Sequence, residues 1–445
     1  MSHWIARWDP EDVAFWEDRG KRVARRNLIW SILAENVGFS VWLLWSVVAA
    51  RLPSAGFHYT TDQLFLLVAI PGLVGAIMRF PYTFAVPRFG GRNWTVVSAL
   101  LLLVPTLALG FFVQRPDTPF TVMACAAATA GLGGGNFASS MANISFFFPD
   151  REKGFALGLN AAGGNIGVSN VQLLVPLVVG AGGVALARAG WMWLPVIVLA
   201  AAGAFFFMDN LATAKSSFQN QIAVAKRRHT WLIAWLYIGT FGSFVGYSAA
   251  FPLLLKTQFP EVTTNLAFLG ALVGSVARPL GGKIADRLGG ARVTVWNFLA
   301  MAVATVFVLY ALQAHAFGAF LTAFLVLFVT TGIGNGSTFR MIPAIFRAEA
   351  LAAARTDEER ALAADRGRRD TAAVLGITSA VGAIGGYLIP QAFSASIKAT
   401  GSAHGALAGF IFFYATCLAI TWWCYLRTGV TKTTSAEPAL GPVNV

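Results

Sequence analysis

The chain has 445 residues, of which 56% are hydrophobic and only 12% charged, a balance that excludes an ordinary water-soluble domain and places the chain in a bilayer. Its formal charge of +13 needs no nucleic-acid partner, because the basic residues gather at one set of helix ends, as they do in cytoplasmic loops. Cys125, Cys417 and Cys424 all lie inside apolar segments and the five histidines are scattered; this excludes a disulfide framework and a metal-ligand set, and with no cofactor motif or catalytic constellation an enzyme is not expected.

In chain order, the first element is "WDPEDVAFWEDRGKRVARRN". Its acidic residues, and the long apolar run behind it, argue against a signal peptide. Asp9 before Pro10 reads as a helix start. With Trp4, Trp8, Phe15 and Trp16, residues 1–27 are expected to form an amphipathic helix on the cytoplasmic membrane face.

Twelve apolar segments of spanning length follow, near 28–50, 63–86, 94–114, 119–147, 154–180, 190–208, 231–255, 265–284, 292–313, 317–346, 372–396 and 405–427. Each is close to the roughly 20 residues that cross about 30 Å of hydrocarbon, and all are too long for barrel strands. The expected fold class is an all-α membrane protein of twelve transmembrane helices. With both termini cytoplasmic, the outer loops keep only Arg51, Arg115, Arg188, Lys256 and Lys398, and nearly all other bases fall inside.

The chain is also a repeat. Arg79 and Gly90 recur as Arg278 and Gly289 at an offset of 199; "GLGGGN" recurs as "GIGNGS" at 201, and Gly158, Gly164 and Gly167 recur as Gly376, Gly382 and Gly385 at 218. The late jump of 17 falls on the charged stretch 347–371, expected to add a short cytoplasmic helix. The domains are therefore a first six-helix bundle at 28–208, a cytoplasmic linker at 209–230, a second bundle at 231–427 and a cytoplasmic tail at 428–445. Parallel six-helix repeats are one way of building secondary transporters, with the substrate at midplane between the halves.

Arg79 and Arg278 are equivalent positions, each about 12 to 15 Å from the inner end of its helix. A charge at that depth costs from about 3 kcal/mol upward, so it faces a cavity or a partner. Snorkelling to the interface suits Arg340 better, near a helix end. Glu35 is the single carboxylate well inside a span, too little for two arginines on different halves, and a mobile anion is the natural counter-charge. A guanidinium fork suits a small planar oxyanion. Phe137, Tyr247 and Phe251 are candidates for flat walls, with ordinary apolar packing as the competing reading among 36 phenylalanines. Glycine-rich stretches allow close helix approach, and among their stranded asparagines Asn136, Asn160 and Asn165, the last is the candidate ligand donor.

The stretch "GLGGGNFASSMANISFFFPDREKGFALGLNAAGGNIGVSNVQLLVP" resembles the signature of the nitrate/nitrite porter family of the major facilitator superfamily, and "GITSAVGAIGGYLIPQAF" looks like its second-half partner. The similarity runs over nearly the whole chain. It implies a twelve-helix transporter of two pseudo-symmetric halves that alternates access to a central site for nitrate or nitrite in the cytoplasmic (inner) membrane. Carried across, the resemblance implies Arg79 and Arg278 as anion ligands, Phe137, Tyr247 and Phe251 as the rings, Asn165 as the signature asparagine, and Gly164 and Gly382 in glycine motifs beside the anion. Ala161 and Ala162 depart from members with glycine there. "GGKIADRLGGARV" looks like the superfamily's loop motif, giving Asp286, Arg287 and Arg292 an expected gating role.

The family contains both exchangers and proton symporters. An empty chamber with two unpaired guanidinium groups is costly to close, which favours exchange. Proton coupling needs a titratable group, and Glu35 is the candidate. An anion sensor without transport is the remote alternative. A monomer is expected, with the lipid bilayer, the two anions and, for a symporter, protons as partners.

Overall fold

The computed structural model describes residues 3–180, 186–214, 223–352 and 356–427. The helical segments, in chain order, are α1 (Val13–Arg51), α2 (Thr61–Phe89), α3 (Gly91–Phe112), α4 (Phe120–Thr129 with Gly131–Phe147), α5 (Asp150–Gly180), α6 (Arg188–Phe207), α7 (Arg228–Gln258), α8 (Phe268–Leu288), α9 (Gly290–Gln313), α10 (Phe317–Ala352), α11 (Asp357–Ala383 with Gly385–Thr400) and α12 (His404–Leu426). Among the described residues, ten spans are long and apolar enough to cross a membrane. The other two predicted segments are helical as well: α4 is interrupted at Ala130, and α8 carries Arg278, Lys283, Asp286 and Arg287.

The repeat is visible in local geometry. Gly90 ends α2 at φ 87°, ψ 145° and Gly289 ends α8 at φ 90°, ψ 129°. Both turn the chain straight into the next helix through a conformation that only glycine adopts without strain. Close helix packing repeats too. Gly133 of α4 lies against the Gly38 carbonyl of α1, while Gly334 of α10 lies against Thr240 of α7. Gly164 of α5 meets Glu35 of α1, and Gly382 of α11 meets Tyr237 of α7. The offset between α1 and α7 is thus 202, pairing Glu35 with Tyr237 and Phe39 with Phe241.

The halves meet along α2–α11, α5–α8 and the ends of α1 and α7. A side-chain atom on Gly72 would collide with the Gly386 backbone, so α2 and α11 touch main chain to main chain. Gln172 of α5 donates to the Ser248 carbonyl of α7 at 2.7 Å. At the face away from the 209–230 linker, Lys398 pairs with Asp62 at 2.5 Å, Lys256 donates to the Ala50 carbonyl at 2.9 Å and Arg51 to Asn265 at 3.3 Å. At the linker face, Arg340 of α10 lies against Gly154 of α5.

Two expectations differ from the structure. The first residues do not form a separate surface helix: Trp4–Ile5 pair in parallel with Asn210–Leu211, and α1 starts at Val13, capped by Asp12. Trp8 and Trp16 are buried, the first against Phe147 and the second donating to Glu152 at 2.9 Å. Their rings find protein rather than lipid, because α4 ends and α5 begins beside them. Nor does 347–371 form its own short helix. α10 runs on to Ala352, and α11 starts at Asp357 behind a capping box of Thr356 and Glu359, so the extra residues lengthen two helices. Residues 353–355 of this stretch and the tail 428–445 lie outside the described residues.

Candidate functional site

Arg79 is fully buried on α2. Its Nε donates to the Gly134 carbonyl of α4 at 3.2 Å and its Nη1 to the Ser379 carbonyl of α11 at 2.8 Å, across the boundary between halves. Its Nη2 has no hydrogen-bond partner among the described residues. Arg278 on α8 is almost as buried; Nη2 reaches the Tyr237 hydroxyl at 3.4 Å and Nη1 is unpartnered. Among the described residues neither forms an ion pair.

The two guanidinium groups share one ring. Phe137 lies 4.5 Å from the Arg79 carbon Cζ and 5.6 Å from that of Arg278, measured to the ring centre. Phe241 lies 4.8 Å from Arg79, stacks on Phe137 at 5.8 Å and 25°, and stacks on Tyr237 at 5.3 Å and 21°. Trp42 at 5.4 Å from Arg79 and Phe339 at 5.8 Å from Arg278 close the sides. A desolvated cation on a ring gains about 2 kcal/mol, whereas removing one from water costs several. Aromatic faces alone leave these charges under-compensated, which suits the site to a small anion as counter-charge.

Glu35 is buried nearby. Its Oε2 accepts from Asn160 at 2.7 Å and from Ser140, its Oε1 has no partner, and it sits within Coulombic range of both arginines. Asn165 is buried with both amide atoms unpartnered, as are Asn136 and Asn335. Buried polar groups are normally satisfied, so each of these amides has hydrogen-bonding capacity that the described residues leave unused. Gly164 packs against Glu35 and Gly382 against the Tyr237 ring.

Tyr247 and Phe251 lie elsewhere. The Tyr247 hydroxyl bonds that of Tyr414 at 2.6 Å, and Phe251 packs on Phe324 at 4.7 Å, in an aromatic cluster within the second half. Neither makes a ring contact with Arg79 or Arg278 among the described residues. The rings of α7 that do border the chamber are Tyr237 and Phe241, ten residues earlier, about 15 Å along the helix. Both pairs are four apart, so spacing could not separate them. The offset of 202 from Glu35 and Phe39 singles out the pair that lies beside the arginines. At the linker face Asp286 pairs with Arg340 at 3.0 Å, which holds Arg340 by a carboxylate and not by snorkelling alone. Arg287 and Arg292 are exposed beside it, without an ion pair among the described residues.

The sequence profile described as the Major Facilitator Superfamily matches residues 36–362. The chain is 47% identical over 447 residues to the "Nitrate/nitrite transporter NarU" of Salmonella typhimurium, covering 95% of this chain and 96% of that one. The chain belongs to the nitrate/nitrite porter family of the major facilitator superfamily. It is also 36% identical to the "Probable nitrate/nitrite antiporter NarK2" of Thermus thermophilus, over 96% of this chain and 98% of the relative. Among solved structures, the porter resembles the xylose transporter XylE from E. coli, in a partially occluded inward-open conformation, with a TM-score of 0.64 at 14% identity over 91% of this chain and 98% of that one. That likeness is one of fold. The porter is an integral membrane protein of transporter architecture, not an enzyme.

Proposed function

We propose that the chain carries nitrate and nitrite across the cytoplasmic membrane by alternating access, chiefly as an exchanger, with both termini cytoplasmic. One observation carries this reading: two buried guanidinium groups, one from each half, flank Phe137, and each keeps an unpartnered Nη. A trigonal oxyanion entering between the Phe137 and Phe241 rings, which must part from their 5.8 Å stacking to admit it, accepts from both forks, with Asn165 as a further donor. Because one chain supplies both arginines, a single copy completes the site. The relatives' names, transporter and antiporter of these two anions, point the same way.

On this reading the Lys398–Asp62 face is external and closed, and the anion leaves past Asp286, Arg287 and Arg292 on the cytoplasmic side. Without an anion, closing the chamber from both sides buries two like charges against rings, so reorientation is easiest when loaded. Proteoliposomes filled with nitrite and given external nitrate test this. Exchange requires nitrate uptake to depend on internal anion and to ignore a pH gradient; uptake into anion-free vesicles would overturn it, and absence of all flux would leave an anion sensor.

A proton symporter is the second reading, favoured by Glu35, whose carboxyl keeps one unpartnered oxygen within Coulombic range of both arginines. It requires uptake driven by an inward proton gradient and lost in Glu35→Gln.

A further inference from the structure

The end of α1 at the linker face borders an open cavity of about 450 Å³, lined by four cations, Lys21, Arg22, Arg25 and Arg26, against two carboxylates, Glu17 and Asp18, together with Ile29 and Trp30. Two of these cations are already matched: Lys21 pairs with Glu17 at 3.2 Å and Arg26 with Asp209 at 2.6 Å. Arg22 and Arg25 are exposed, lie three apart on one helix face, and form no ion pair among the described residues. Directly along the helix the surface turns apolar. Ile29 and Leu33 are 57% and 45% exposed, and Trp30 stacks flat on Phe207 at 5.1 Å and 6°, next to the exposed Phe206.

From this juxtaposition we propose that the α1 cavity is a binding site for an anionic phospholipid. Arg22 and Arg25 hold the headgroup phosphate, while the acyl chains lie over Ile29, Leu33 and Phe206. A soluble anion makes no use of the apolar wall. A zwitterionic headgroup brings its own ammonium to two unmatched guanidinium groups, so an acidic lipid is preferred.

The test uses the full chain in detergent, titrated with phosphatidylglycerol or phosphatidylcholine, with retained lipid counted by native mass spectrometry. Phosphatidylglycerol is expected to bind the parent more tightly. Arg22→Gln/Arg25→Gln should weaken it roughly thirtyfold, and Arg22→Lys/Arg25→Lys and the remote Arg88→Gln/Arg115→Gln by less than about threefold. If the glutamine pair melts early, Arg25→Gln alone decides, with about a fivefold loss expected. Equal retention by the glutamine variants, equal affinity for the two lipids, or displacement of the lipid by millimolar inorganic phosphate overturns the proposal.

Discussion

Replacing Arg79 by lysine keeps the charge and removes the fork. In the porter, Nε and Nη1 are committed to the Gly134 and Ser379 carbonyls at 3.2 and 2.8 Å, and Nη2, unpartnered among the described residues, is the atom that meets the anion on the proposed reading. An ammonium donates from a single atom, so it cannot reach carbonyls on α4 and α11 and also face the chamber. Losing one charge-assisted hydrogen bond to the anion costs about 1.5 to 3 kcal/mol. At about 1.4 kcal/mol per tenfold, the apparent KM for nitrate should rise roughly 10- to 140-fold. The assay is the initial rate of nitrate entry into nitrite-loaded proteoliposomes against external nitrate, with detergent melting to check folding. Arg79→Ala, which also removes the charge, should fall to background. A folded lysine variant with KM within about threefold of the parent would refute the reasoning, since point charge alone would then suffice.

Other outcomes follow from the same geometry. Phe241→Ala should raise the nitrate KM by about tenfold, given roughly 0.5 to 1.5 kcal/mol for an aromatic pair plus a lost ring face. Phe251→Ala should leave KM near the parent and instead lower the melting temperature, because a Phe→Ala cavity costs about 3 to 5 kcal/mol. Glu35→Gln should keep nitrate/nitrite exchange and its indifference to a pH gradient; loss of transport together with a proton-driven parent would turn the assignment to symport. Gly289→Ala meets no atoms that its methyl would strike, so its cost is backbone strain alone, about 1 to 3 kcal/mol in a denaturant titration.

Much of the architecture was legible because a span must be apolar over its length, and because Gly90 and Gly289 mark one corner twice. The arginine pair stood out since a mid-span charge has few bland explanations. The rings did not. With 36 phenylalanines the i, i+4 pattern is common, and Tyr247/Phe251 mimics Tyr237/Phe241 on the same helix. Only alignment of α1 with α7, which the offset between Glu35 and Tyr237 supplies, tells them apart. Trp8 and Trp16 were ambiguous for a different reason: an aromatic near a membrane surface buries as readily in lipid as against Phe147. Asn335 escaped notice because a lone amide in a glycine-rich helix looks like packing, and its unpartnered state appears only in three dimensions.

If Arg79 grips the anion as proposed, its hydrogen bond to Ser379 makes one side chain both ligand and strut between the two halves. Grip on cargo and speed of turnover are then not separately adjustable, since any change that frees the fork for tighter capture also loosens the brace that must be remade in each cycle. Selection for scavenging at trace concentrations would accordingly act on the rings and amides around the arginine, leaving the arginine itself untouched.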